Sequence, residues 1–193
     1  MGPFVSPGSP LSDGEIMLRP LDRHTDEDLA ALASAMSDID LASWLVHRTT
    51  DQRADAQALL AEWADGWASG IVATFGEVAD KRVRAVVAAI VTRDPEVAEL
   101  GIWVHRDARR RGIATAAVKL LTTWCFESGI QRVWIEIDPD NQPSQALARS
   151  TGFVCEGTLR SHCRDRRTNQ RHDCVVYSLV PDDWSVRLDV APP

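Results

Sequence analysis

The chain has 193 residues, 45% of them hydrophobic and 25% charged, which suits one globular domain and excludes a disordered or fibrous chain. The net charge of −7 argues against sequence-independent nucleic-acid binding. No apolar run reaches the ~18 residues needed to cross a bilayer, and no signal peptide opens the chain, so a soluble cytoplasmic protein without a membrane partner is expected.

In chain order, residues 1–14 are rich in Pro, Gly and Ser and read as a flexible tail. Glu15–Leu21 is the first expected strand. Thr25 caps a helix whose first turn carries Asp26, Glu27 and Asp28, where the helix dipole favours acids; it is expected to run to about Ala42. A second helix starts near Thr50, with Leu59, Leu60, Trp63 and Trp67 at helical spacing. The two tryptophans serve either the core or the wall of an acceptor pocket. Ile71–Val78 and Arg82–Thr92 form a hairpin around Ala79-Asp80-Lys81. The apolar run Ala85–Val91 suits a strand covered on both faces. Val97–His105 alternates, with Ala98, Leu100, Ile102 and Val104 on one face and Glu99, Gly101, Trp103 and His105 on the other.

A basic loop, Arg106–Arg111, leads into a helix from Gly112 to about Ser128. Ile113, Ala117, Leu120, Leu121 and Trp124 form its apolar stripe, and Gly129 closes it. Arg132–Asp138 is a strand and Pro143–Ser150 a short helix. Phe153–Cys163 and Asp173–Val180 are the last strands, and residues 185–193 a C-terminal tail. This order predicts an α+β fold, a sheet with helices packed on its faces.

The loop between residues 104 and 114 carries the strongest chemical signal. The first N–H groups of a helix lack internal partners and attract anions. Gly112 and Ala114 leave the backbone open, and Arg109, Arg110 and Arg111 add positive charge. Neither a P-loop nor a G-x-G-x-x-G fingerprint is present. A phosphate-bearing ligand and an ordinary Arg-rich turn both remain open on these grounds.

Arg109-x-x-Gly112-x-Ala114 resembles the Q/R-x-x-G-x-G/A signature of the GNAT N-acetyltransferases. Ala98–Val104, Asn141-x-x-Ser144, Gly152-Phe153-x-x-Glu156-Gly157 and His172-Asp173-x-Val175-x-Tyr177-Ser178-Leu179 follow in the order seen in the ribosomal-protein N-terminal acetyltransferase branch. The resemblance covers residues 15–184, the expected domain. It implies a mostly antiparallel, twisted sheet of about seven strands, splayed between the fourth and fifth and flanked by about four helices.

It further implies acetyl-CoA as donor and an amine acceptor such as a peptide N-terminus; no metal is expected. Arg109, Arg110, Arg111, Gly112, Ile113 and Ala114 would hold the pyrophosphate. Backbone groups near Trp103 and Val104 would bond the pantetheine arm, as would Asn141. Glu99 is the candidate base, or else a structural carboxylate. Ser144 is the candidate acid, because the tyrosine many relatives carry seven residues after the Asn is here Ala148; helix capping is the rival reading. Tyr177 reads as structural. The open alternatives are a small-amine or aminoglycoside acetyltransferase and a non-catalytic acyl-CoA-binding module. A monomer or homodimer is expected.

The four cysteines, 125, 155, 163 and 174, form no regular framework and read as free thiols, with Cys155 and Cys163 on one strand face. The histidines show no metal-ligand spacing. Arg160, Arg164, Arg166, Arg167 and Arg171 cluster at the last hairpin without interleaved aromatics, as a solvated tip or the rim of an acceptor groove. Residues 1–98 carry eight Lys/Arg against 16 Asp/Glu, and residues 99–193 carry 13 against 12. An acidic half beside a neutral one could face a cationic and an anionic ligand, or reflect ordinary surface charge.

Overall fold

The central apolar run forms the middle of an eight-stranded sheet because its side chains are covered on both faces. Val83 and Val86 join one buried cluster, while Ala85, Val87 and Ala89 join the other. The structure is a computed structural model and describes residues 2–38, 51–164 and 169–188. The strands are β1 (Leu11–Ser12), β2 (Met17–Pro20), β3 (Val72–Ala79), β4 (Arg82–Val91), β5 (Val97–Val104), β6 (Arg132–Ile137), β7 (Val154–Arg164) and β8 (Arg171–Leu179). The helices are α1 (Asp26–Ala35), α2 (Gln52–Ser69), α3 (Ile113–Glu127), α4 (Gln142–Ser150) and α5 (Pro181–Leu188). Strand order is β1-β2-β3-β4-β5-β6-β8-β7, with every pair antiparallel except β5–β6. Among the described residues, the two-residue β1 raises the expected seven strands to eight; counted from β2, the fourth and fifth are the parallel pair. Among the described residues, the helix beyond the expected four is α5, which starts within the expected domain and runs into the expected C-terminal tail; residues 189–193 lie outside the described residues.

Local chemistry sets the element ends. Thr25 and Asp28 form a reciprocal capping box at α1, which ends at Ala35 rather than near Ala42; residues 39–42 lie outside the described residues. Asp51 caps α2 through the Arg53 and Ala54 amides. Asp80 and Lys81 both take positive φ, so the β3–β4 hairpin turns on these two residues. No helix of the described residues is long and apolar enough to cross a membrane.

The two sheet faces bury different partners. Helices α1 and α2 cover one face with Leu29, Leu32, Leu59, Leu60 and Trp63, against Val86 and Trp103 of the sheet. Helix α3 covers the other with Ile113, Ala117, Leu121 and Trp124, as its stripe predicts. Trp67 turns to this second cluster, edge-on to Phe75 and Trp124, with its Nε1 donating to the Thr74 carbonyl at 3.0 Å. Both helical tryptophans are therefore core residues.

The N-terminal stretch read as a tail packs on the body instead. The Gly2 amide donates to the Ser69 carbonyl at 2.9 Å, and Phe4, 2% exposed, stacks on Trp124 with ring centroids 5.0 Å apart. Composition missed this because one aromatic anchor outweighs many tail-like neighbours. Phe4→Ala is expected to lower stability by ~3 kcal/mol, the cost of emptying a buried aromatic site. A loose tail would give less than ~0.5 kcal/mol in the same denaturant titration.

Candidate active site

The site is built where β5 and β6 part. They pair only at Val97–Arg132, Ala98–Val133 and Glu99–Trp134, after which β6 continues with β8 alone. On its other edge β5 stays paired with β4 as far as Val104. The His105 amide donates to the Arg84 carbonyl, and the Glu96 carbonyl accepts from the Gln131 amide on the β6 side. In an antiparallel ladder such bonds alternate along the strand. Residues 99, 101 and 103 therefore bond β4, and Leu100, Ile102 and Val104 turn their amide groups into the gap. Trp103 departs from the expectation: its backbone faces β4, and its side chain is buried beneath α1 and α2. Leu100 and Ile102 hold the gap-facing groups that the sequence reading passed over. Val104 is on the gap edge, and its carbonyl accepts from Arg109 Nε at 3.0 Å.

A turn of 3-10 helix, Arg106–Ala108, leads from β5 to α3. Arg110 and Gly112 both adopt positive φ, 62° and 77°, which turns the chain sharply into the helix. Gly112 is the N-cap residue and offers no side chain, so the Ile113, Ala114 and Thr115 amides start the helix without intrahelical partners. A Cβ at Gly112 would meet nothing within 4 Å, so the approach to these amides is open. Arg110 and Arg111 are exposed beside it, and Arg109 Nη2 lies 3.8 Å from the buried Asp38. The loop thus presents backbone donors and cations together, a combination suited to phosphate groups.

Between the parted strands and α4 lies a narrow cleft, open to solvent, with an apolar lining that includes Leu100, Ile102, Leu121, Ile135 and Phe153. Ser144 is the polar side chain in its wall beside Thr151, and Ala148 is also in the wall. Asn141 is the N-cap of α4, its Oδ1 accepting from the Ser144 amide at 3.2 Å. Glu99 is half-buried on the opposite sheet face, in the last β5–β6 register pair before the gap. The base and acid candidates therefore approach the gap from different faces.

The far wall is β6 with the β7–β8 hairpin. Glu156 receives both guanidinium nitrogens of Arg132, at 2.7 and 2.6 Å, and the Ser178 hydroxyl at 2.6 Å. The Arg132 bonds, then the Ser178 bond, hold its carboxyl down at about 2. Tyr177 is buried; its hydroxyl donates to Gln145 Oε1 at 3.2 Å and accepts from Arg149 at 2.8 Å, tying α4 to β8 in a structural role. Asp173 Oδ1 accepts from the Ser161 amide at 2.8 Å and braces the irregular part of β7. Arg166 and Arg167 lie outside the described residues.

The cysteine expectation needs correction. Cys163 and Cys174 form a disulfide across β7–β8. Cys155 and Cys163 do not share a face: Cys155 pairs with Tyr177 and Cys163 with His172, on opposite sides of β8. Two irregularities, between Cys155 and Gly157 and between Leu159 and Cys163, insert three unmatched residues and flip the alternation. Cys125 is buried, and desolvation pushes its thiol well above the usual range, so it stays protonated and inert. Sequence spacing also missed that donor atoms of Cys163, His172 and Cys174 gather within 4.8 Å. The signal was His172-x-Cys174, two residues on one strand face.

Comparison with known proteins bears on this geometry. The acetyltransferase (GNAT) domain family matches residues 15–154. YdaF of Bacillus subtilis, provisionally named a ribosomal N-acetyltransferase, is 35% identical over 88 residues, 45% of this chain and 47% of that protein. The chain thus matches about half the length of its curated relatives. Two solved structures share the fold. RimJ of Mycobacterium smegmatis, in complex with CoA-disulfide, has a TM-score of 0.74 at 22% identity, covering 87% of this chain and 83% of that one. The ribosomal-protein-S5-alanine acetyltransferase of Vibrio fischeri has a TM-score of 0.74 at 20% identity, covering 91% and 98%. With its parted parallel strands, its glycine-opened helix and a family match over most of its length, this chain belongs to the GNAT acetyltransferases.

Proposed function

We propose that the protein transfers the acetyl group of acetyl-CoA to a primary amine, with a protein N-terminal α-amine as the acceptor class, by direct attack in a ternary complex. The observation that carries this reading is the gap: strand amides of Leu100, Ile102 and Val104 open onto the amide-rich start of α3. An extended pantetheine arm can bond to such an edge as a short strand would. Its pyrophosphate then meets the Ile113 and Ala114 amides with Arg109, Arg110 and Arg111 around them. The CoA-bound RimJ of the same fold and the ribosomal-protein acetyltransferase names among the relatives support donor and acceptor.

Glu99 acts as the base, directly or through one water, because the attacking amine must be neutral. Gap-facing backbone N–H groups of β5 supply donors to the developing oxyanion. Ser144, in the cleft wall, returns a proton to the departing thiolate, and Asn141 positions it by capping α4. Metal is not required by any of these steps.

An acceptor screen tests the reading. Peptides with free N-termini, the same peptides N-terminally blocked, and polyamines are incubated with acetyl-CoA and followed by mass shift and thiol release. Acetylation confined to free N-termini is the expected result. Acetylation confined to polyamines overturns the acceptor class. Tight acetyl-CoA binding without release on any acceptor overturns the enzyme reading.

A further inference from the structure

The β7–β8 hairpin holds a cluster that acyl transfer does not use. Donor atoms of Cys163, His172 and Cys174 all lie within 4.8 Å of one another. Cys163 faces His172 in the strand register, and Cys174 follows two residues on along the same face. Glu136 of β6 reaches in, with its Oε2 3.0 Å from Cys163 Sγ.

That contact fits poorly with the disulfide. It is a hydrogen bond only when Cys163 carries a thiol proton, and a disulfide sulfur has none to donate. With the bond formed, sulfur and carboxylate lone pairs face each other. The other carboxylate oxygen, Oε1, is shut off from solvent and accepts no well-aligned hydrogen bond among the described residues, although His162 Nε2 lies 2.9 Å away. A buried carboxylate oxygen left this way is costly. A cation among these groups relieves both strains.

We propose that the reduced hairpin is a binding site for one zinc-class divalent cation, held by Cys163, Cys174, His172 and Glu136. Two thiolates, an imidazole and a carboxylate make four ligands of the kind that favours tetrahedral zinc over magnesium or calcium. Asp138 Oδ2, 3.7 Å from His172 Nε2, stands behind the imidazole and orients it. The oxidised hairpin cannot serve, because its sulfurs are spent on each other. A dithiol reductant supplies two electrons and two protons, breaking the S–S bond into two thiols and becoming a disulfide itself. The cation then displaces both thiol protons to solvent. Glu136 lies on β6 beyond Trp134, in the parted segment and on the face Glu99 occupies. The bound cation therefore clamps the hairpin on the Glu99 side of the gap.

The test needs no acetyltransferase assay. The full chain, reduced with a phosphine and desalted without oxygen, is titrated with zinc and weighed by native mass spectrometry; cobalt reports thiolate ligation by its charge-transfer absorption. One zinc per reduced chain, none on the oxidised chain, and a thiolate–cobalt band are expected. Cys163→Ser and His172→Ala should each weaken binding by at least ~10²-fold, and Glu136→Gln by ~10-fold, while Cys155→Ser leaves it unchanged. Failure of the reduced chain to bind zinc overturns the proposal. So does a bound equivalent that survives Cys163→Ser, or a cobalt spectrum without the thiolate band, which needs no variant to fold.

Discussion

Gly112→Asp is expected to abolish detectable acetyl-CoA binding while leaving the fold intact. Gly112 sits at φ 77° with open space around its Cβ position, so an added side chain clashes with nothing. Asp tolerates the left-handed region better than most residues, so the backbone cost stays near ~1 kcal/mol. The damage is electrostatic. A carboxylate at the N-cap accepts the amides that the pyrophosphate needs and sets a negative charge against it. At ~5 Å and an effective dielectric of ~20, one like-charge pair costs ~3 kcal/mol, a loss of roughly 10²-fold before the second phosphate is counted. Gly112→Asn has similar shape without the charge and should retain most of the affinity. Calorimetric titration of both variants separates charge from bulk; unchanged affinity in Gly112→Asp would remove this loop from the donor site.

Glu99→Gln is expected to lower kcat by ~10²–10⁴-fold with little change in acetyl-CoA affinity. A base works only when deprotonated, so the wild-type rate should fall on the acidic side of its pH–rate profile. The variant should lose this acidic limb and keep any limb due to the acceptor amine. The position suits the role: Glu99 is half-buried in the last paired step before the strands part, on the face opposite Leu100. A pH–rate profile of unaltered shape would make Glu99 a structural carboxylate at the fork. The two variants report on different halves of the site, one on donor binding and one on proton removal.

Much of the candidate site is legible in sequence because its parts are local. Arg109, Gly112 and Ala114 lie within one strand–loop–helix step, and a helix start exposes its amides whatever surrounds it. The α3 stripe likewise needs only helical periodicity, and Asn141 capping α4 needs only its neighbours. The roles of Leu100 and Ile102 are not legible in this way. Alternation shows which side chains share a face, yet which amides face the gap depends on how β5 pairs with β4.

By itself the sequence determined the α+β class, the order of the elements from β2 to β8 and the glycine-opened loop before α3, since periodicity, capping and turn chemistry act over a few residues. Only the tertiary structure decided what depends on distant partners. Phe4 became core because Trp124 waits 120 residues away, and a stretch of tail composition became a packed strap. Cys163 met His172, Cys174 and Glu136 because bulges in β7 shifted its pairing by an odd number of residues. Strand pairing sets the face of every side chain beyond a bulge, and no local pattern carries that information.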